Sequence, residues 1–237
     1  MIERAREDLE AIARGHGAVL FGVADLKGVD LDAISAAADQ VRLAGLATGI
    51  SYGFRLSDVV VDGIGDHPTR TYQYHYRQVN SLLDHVGLLM ASHIQRLGKS
   101  VFPVPSSQIL DRDTCKGHIS HKAVARLAGL GWIGRSNLLV NAEHGARVRY
   151  ATVLTDLELA YDRPAPAGEA VDYLECAGCG GCRACIEACP GGAIGETLRD
   201  FSLAKCLETI DRVRLAENVG SRICGICVRA CKGPAGS

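Results

Sequence analysis

The chain has 237 residues, 47% of them hydrophobic and 22% charged, with a formal net charge of −1. That balance excludes wholesale disorder, and near-neutrality supplies no strong field to draw in nucleic acid or anionic lipid. No apolar run reaches the ~20 residues of a membrane span, and the opening MIERAREDLEAIARGHG has no signal core, so a cytoplasmic chain with no membrane partner is expected.

Along the chain, Ile2, Ala5, Leu9 and Ile12 recur at spacings of three and four and predict a first helix, stopped by Gly15 and Gly17. AVLFGVADL (18–26) reads as a buried strand, and LATGISYGFRL (46–56) as a second, loosened by glycine. A long helix is predicted over 71–97, with Val79, Leu82, Leu83, Val86, Leu89, Met90, Ile94 and Leu97 on its apolar stripe and Gly98 ending it. VFPVPSS (101–107) is extended by its prolines. Ser120 is placed to cap a helix over 122–128 that turns Val124, Leu127 and Ala128 inward. Strands follow at SNLLV (136–140) and VRYATVL (148–154), the second with clear alternation.

Interleaved helices and strands favour a layered α/β or α+β domain. YDRPAPAGEA (161–170), rich in proline, alanine and glycine, reads as a connection. The expected division is therefore a domain over 1–160, a linker over 161–171 and a cysteine-rich module over 172–237.

Nine of the ten cysteines lie between Cys176 and Cys231; Cys115 stands apart. In a reducing compartment such clustering points to metal. CGGCRACIEACPGGAI (179–194) contains C-x-x-C-x-x-C-x-x-x-C-P, the spacing of a ferredoxin loop, in which three thiolates wrap one cube and the fourth serves its neighbour. Cys179, Cys182 and Cys185 then hold one 4Fe–4S cluster, completed by Cys231. Cys189 joins Cys206, Cys224 and Cys227 around a second. One departure from the ferredoxin form is Lys232–Gly233–Pro234 after Cys231, where proline usually follows directly. Zinc ribbons also use paired C-x-x-C elements, but zinc leaves the four-cysteine run unexplained. Cys176, three before Cys179, reads as a spare buried thiol, with a slip into the ligand register as the alternative.

In SHKAVARLAGLGWIGRSNLLV (120–140), Gly129, Gly131 and Gly134 match G-x-G-x-x-G, yet they follow a helix and enter a strand. A dinucleotide loop needs the reverse order, so NAD binding is rejected. Two readings stay open: a glycine-rich turn with Trp132 packed inward, or backbone brought close to a flat cofactor.

A-G-L-G-W followed by I-G-R-S-N-L-L, ahead of two ferredoxin-type cysteine sets, resembles the epoxyqueuosine reductase family and, more distantly, the reductive dehalogenases. The resemblance is strongest over 120–154 and 179–231. It implies an α+β chain: a nitroreductase-like α/β sandwich holding cobalamin, then a ferredoxin-like module whose two clusters reduce the cobalt. It also implies a low-potential electron donor such as ferredoxin or flavodoxin. Residues suited to the cofactor are His118, His121, Lys122, Gly129, Gly131, Trp132, Gly134, Arg135, Ser136 and Asn137. For the histidines helix capping is the alternative, and for the polar side chains surface solvation. Arg147 and Arg149 are placed on a strand beside the same site.

The family's proton donor aligns with Cys115, and Asp113 is two residues earlier. The role requires a neutral, buried group near working pH; a desolvated Asp or a thiol of pKa about 8.5 meets it. Cys115 as a small buried hydrophobe and Asp113 as a loop residue are the alternatives, with Tyr72, Tyr74 and Tyr76 as further acids. The family carries a C-terminal helical-repeat extension that grips tRNA, and this sequence stops at Ser237. With the near-neutral charge, that makes tRNA an unlikely partner and points to a small-molecule substrate. The expectation is thus a cobalamin-dependent iron–sulfur oxidoreductase. Its rivals are an electron-transfer protein or activator of a corrinoid protein, and a flavin enzyme.

Overall fold

The computed structural model describes residues 2–29, 43, 45–111, 113–163, 177–216 and 218–234; Cys176 and most of the expected linker lie outside them. The elements in chain order are α1 (Ile2–Gly15), β1 (Leu20–Asp25), β2 (Thr48–Arg55), α2 (Asp58–Asp62), α3 (Arg70–Arg96) and β3 (Val101–Val104). There follow α4 (His121–Leu127), β4 (Trp132–Ile133), β5 (Leu139–Val140), β6 (Val148–Thr155), α5 (Ala184–Ala188), α6 (Leu203–Ala216) and α7 (Ile226–Ala230). Two compact units divide the chain, Met1–Phe54 with Asn80–Leu130 and Arg149–Val171, and Arg55–Val79 with Gly131–Val148 and Asp172–Ser237. Neither is continuous in sequence, so the division cuts across the boundary expected at 160. No helix among the described residues is long and apolar enough to cross a membrane.

In the first unit four strands form a sheet of order β1-β2-β6-β3, with β1–β2 and β3–β6 antiparallel. β2 is buried from Thr48 to Phe54, and the reason is an alternation of size rather than polarity. Ile50, Tyr52 and Phe54 face α3, where the Tyr52 hydroxyl donates to the Leu83 carbonyl at 2.7 Å. Gly49 faces α4, where a Cβ on it would stand 2.7 Å from Val124 Cγ1, and strand alternation puts Ser51 and Gly53 on the same side. The glycines here permit close approach of a helix and do not loosen the strand. Helices thus cover both faces, and for that reason β6 is buried almost throughout instead of alternating as expected.

α1 buries Ala5, Leu9 and Ala13, with Ile12 only half-buried. It lies on the α3 side, where Asp8 faces His93 at 3.8 Å. α4 starts as expected, with the Ser120 hydroxyl accepting from Ala123 N at 3.3 Å. Val124 and Ala128 join Ala24, Leu26, Val104 and Leu154 in the core beneath it. The first residues of the expected linker are docked: Asp162 accepts from Val23 N at 2.7 Å and from Arg6 at 2.7 Å.

The second unit gathers α2, the first turns of α3, the β4–β5 hairpin and the cysteine-bearing segment. Only Leu139–Val140 of the expected strand 136–140 is extended, because Asn137 turns the chain with a left-handed φ of 59°. Tyr72 is buried, and its ring lies where a Cβ on Gly225 would stand; Tyr76 packs on it at 6.4 Å, and Tyr74 is exposed. These tyrosines are packing and surface residues.

Candidate functional site: a paired cysteine centre

The cysteine thiols feel one another in two groups. Burial pushes Cys185 up to about 11, and the charges of Cys231, Cys179 and Cys182 add to the rise. Burial likewise raises Cys231, with Cys179 and Cys182 contributing. Cys227 is raised by burial first and then by Cys224, Cys206, Cys185 and Cys189, while Cys224 is raised by burial and by Cys189. Such influence falls with distance. Cys185 and Cys231 thus answer to Cys179 and Cys182, and Cys224 and Cys227 to Cys189, with Cys206 also acting on Cys227. Cys185 acting on Cys227 makes the groups adjacent.

Among the described residues no set of three or more His, Cys, Asp or Glu draws together as a site for a metal ion. A cubane separates its thiolates more widely than one ion does, because four irons and four sulfides lie between them. The donor chemistry, soft sulfurs at ferredoxin spacing, fits such clusters. Because buried thiols must ionise to ligate, iron uptake would release protons. Cys182 is exposed and the other seven are half-buried.

The Trp132 indole Nε1–H donates to Cys179 Sγ at 3.4 Å. Gly178 lies under the ring, where any Cβ would strike the indole. Arg135 donates to the carbonyls of Glu196 at 2.6 Å, Cys182 at 2.8 Å and Gly180 at 2.8 Å, tying down the loop that carries the first cysteines. A Cβ on Gly131 would run into the Val140 carbonyl, and one on Gly134 would lie 3.4 Å from Cys179 Sγ. Ser136 is buried in the turn, and Asn137 N donates to Gly134 O at 2.8 Å. These contacts describe a packed glycine-rich turn with Trp132 half-buried.

Arg147, expected on a strand beside the cofactor site, precedes β6 by one residue and belongs to the cysteine-bearing unit. Buried, it donates to Asp58 at 2.8 Å, Asp62 at 2.6 Å and the Arg229 carbonyl at 2.8 Å. The Arg147 guanidinium holds the Asp62 carboxyl below the usual carboxylate range. Asp58 and Asp62, four apart on α2, were the available signal. The turn before Arg147 meets the last cysteine directly, with Ala146 N donating to Cys231 O at 3.1 Å.

The remaining candidates belong to the first unit. His121 spends both ring nitrogens internally: Nε2 donates to Pro105 O at 3.1 Å, and Nδ1 accepts from the Thr152 hydroxyl at 3.0 Å. Burial pushes its pKa down to about 4, so the ring is neutral. Neither nitrogen is left for a cofactor, and the cap is Ser120 rather than a histidine. Burial lowers Lys122 to about 8. His118 is buried, 3.2 Å from Gln108 Oε1 and edge-on to Phe102. Arg149 donates to Asn80 Oδ1 at 3.1 and 3.0 Å. A Cβ on Gly129 would stand 2.9 Å from Arg163 Nε. Asp113 is exposed in a turn closed by Asp111, whose carboxylate accepts from Asp113 N and Thr114, and so lacks the burial a proton donor needs. Cys115 is half-buried in the same loop with φ 53°.

No family model matches the chain. Over 108 residues it is 32% identical to the epoxyqueuosine reductase of Salmonella typhimurium strain LT2, a match covering 46% of this chain and 26% of that protein. The chain therefore spans about a quarter of that relative's length. Among solved structures, a reductive dehalogenase described with a mechanism for B12-dependent dehalogenation matches with TM-score 0.72 and 20% identity over 98% of this chain and 32% of that one. An epoxyqueuosine reductase bound to an epoxyqueuosine-modified tRNA-Tyr stem loop matches with TM-score 0.54 and 16% identity over 89% and 58%. These relatives overturn the expectation against tRNA: proteins similar to this chain are named for a tRNA modification, and one is bound to the modified stem loop. Where this sequence ends carries no weight against that, since the match covers a fraction of the relative. The curated relatives are named as reductases, the oxidoreductase class expected from the sequence. In sequence the chain is similar to the epoxyqueuosine reductases, and it has the mixed α+β fold found in them and in the reductive dehalogenases.

Proposed function

We propose that this chain is an iron–sulfur reductase of the epoxyqueuosine reductase kind. It would carry two 4Fe–4S clusters in a ferredoxin-like arrangement within 172–237 and cobalamin in a nitroreductase-like domain within 1–160, joined by 161–171. The observation that supports this reading is the C-x-x-C-x-x-C-x-x-x-C-P run, which lies with Cys206, Cys224, Cys227 and Cys231 in one compact unit. Cys179, Cys182, Cys185 and Cys231 would hold one cluster, and Cys189, Cys206, Cys224 and Cys227 the other. Cysteine-ligated cubes reach potentials down to about −700 mV, low enough to reduce cobalt.

Bound cobalamin would supply a strongly nucleophilic reduced cobalt for attack on the substrate. Lys122 is the first-unit side chain best suited to its amide or phosphate groups; His121, with both nitrogens committed, is a support for the fold. Cys115 is retained as the proton donor in place of the exposed Asp113. The exposed Cys182 is the port for a low-potential donor such as ferredoxin or flavodoxin. Modified tRNA is the substrate class to test first, because the relatives are named for it.

The test is anaerobic reconstitution with iron and sulfide, followed by separate additions of cobalamin and flavin, recording binding, spectra and conversion of an epoxyqueuosine-bearing stem loop. Cobalamin uptake with reduction of cobalt and turnover of the stem loop is expected. Iron without cobalamin uptake would make the chain an electron carrier or corrinoid-protein activator, and flavin uptake would make it a flavin enzyme.

A further inference from the structure

We propose that Trp132 is a positioning residue that raises the reduction potential of the cluster held by Cys179, Cys182, Cys185 and Cys231, and of that cluster alone. This rests on the cluster reading above and extends it to a side chain outside the ligand set. The indole N–H points at a ligand sulfur, Cys179 Sγ, at 3.4 Å. It is held there from three directions. The β4–β5 hairpin pairs Trp132 with Val140, Gly178 leaves room for the ring directly beside the ligand, and Arg135 ties down the Gly180 and Cys182 carbonyls of the same loop.

A hydrogen bond donated to a thiolate withdraws charge from the iron–sulfur unit and favours its reduced, more negative form, and the nearby guanidinium acts in the same direction. In the other group, Cys189 takes a backbone donor, Ala193 N at 3.4 Å, which no side-chain change removes. GLGWIGR therefore serves as the seat and the tuner of one cluster.

Trp132→Phe keeps the ring over Gly178 and deletes the N–H. In a redox titration followed by EPR, one of two one-electron waves should move to lower potential. At fixed potential its reduced-to-oxidised ratio should fall on the order of tenfold, about 59 mV, while the other wave stays. As the chain has one tryptophan, indole-15N labelling marks a single nitrogen, and pulsed EPR of the reduced wild-type protein should show its coupling to one cluster. That second measurement decides the matter if the variant fails to load iron. A loaded protein with both waves unmoved and no nitrogen coupling overturns this inference alone. A wild-type chain that takes up no iron overturns the cluster reading as well.

Discussion

At His121 the decisive facts are two hydrogen bonds and a lowered pKa. In the folded chain the ring takes a proton only near pH 4, against about 6.5 when unfolded, chiefly because it is desolvated, with Arg149 adding to the shift. Asp84 and the Pro105 carbonyl pull the other way without prevailing. Between those values the unfolded chain binds a proton that the folded chain refuses. Stability should therefore be fully present above about pH 6.5 and be lost as pH falls towards 4, by up to about 3 kcal/mol. His121→Phe should remove that part of the pH dependence. It should also cost about 1–3 kcal/mol at neutral pH by stranding Pro105 O and Thr152. Urea unfolding at several pH values checks both; an unchanged slope in the variant would refute the assignment. A histidine beside a glycine-rich segment invites a ligand role on sequence alone. Which atoms meet its nitrogens depends on β3 and β6, distant in sequence.

The elements themselves were largely legible. α1, β1, β2, α3, β3 and β6 lie where periodicity and breakers put them, because those signals are local. What local signals missed was the second face of the sheet. β2 alternates small and large residues, and only the presence of α4 explains why Gly49 sits inside a strand. Gly49→Ala should lower stability by about 1–3 kcal/mol through collision with Val124 and Leu26, read as a fall in the unfolding midpoint. An unchanged midpoint would mean that α4 lies farther from the sheet. The 136–140 strand shortened for a similar reason: Asn137 accepts a left-handed turn that hydrophobic pattern does not reveal.

On the scale of the molecule, a cysteine-bearing module could be anticipated from spacing because three ligands of a cube fit on one loop. The grouping of 55–79 and 131–148 with the cysteine segment could not, since the links are Arg147 to Asp58 and Asp62, and Trp132 and Arg135 to the first cysteine loop. The expectation against tRNA failed because net charge and chain end say little about a site built by a larger relative. The most direct test of the account counts iron, acid-labile sulfide and zinc in the anaerobically reconstituted wild-type chain. Two filled cubes predict about eight iron and about eight sulfide per chain with no zinc. About four iron or fewer, or zinc in their place, would contradict it.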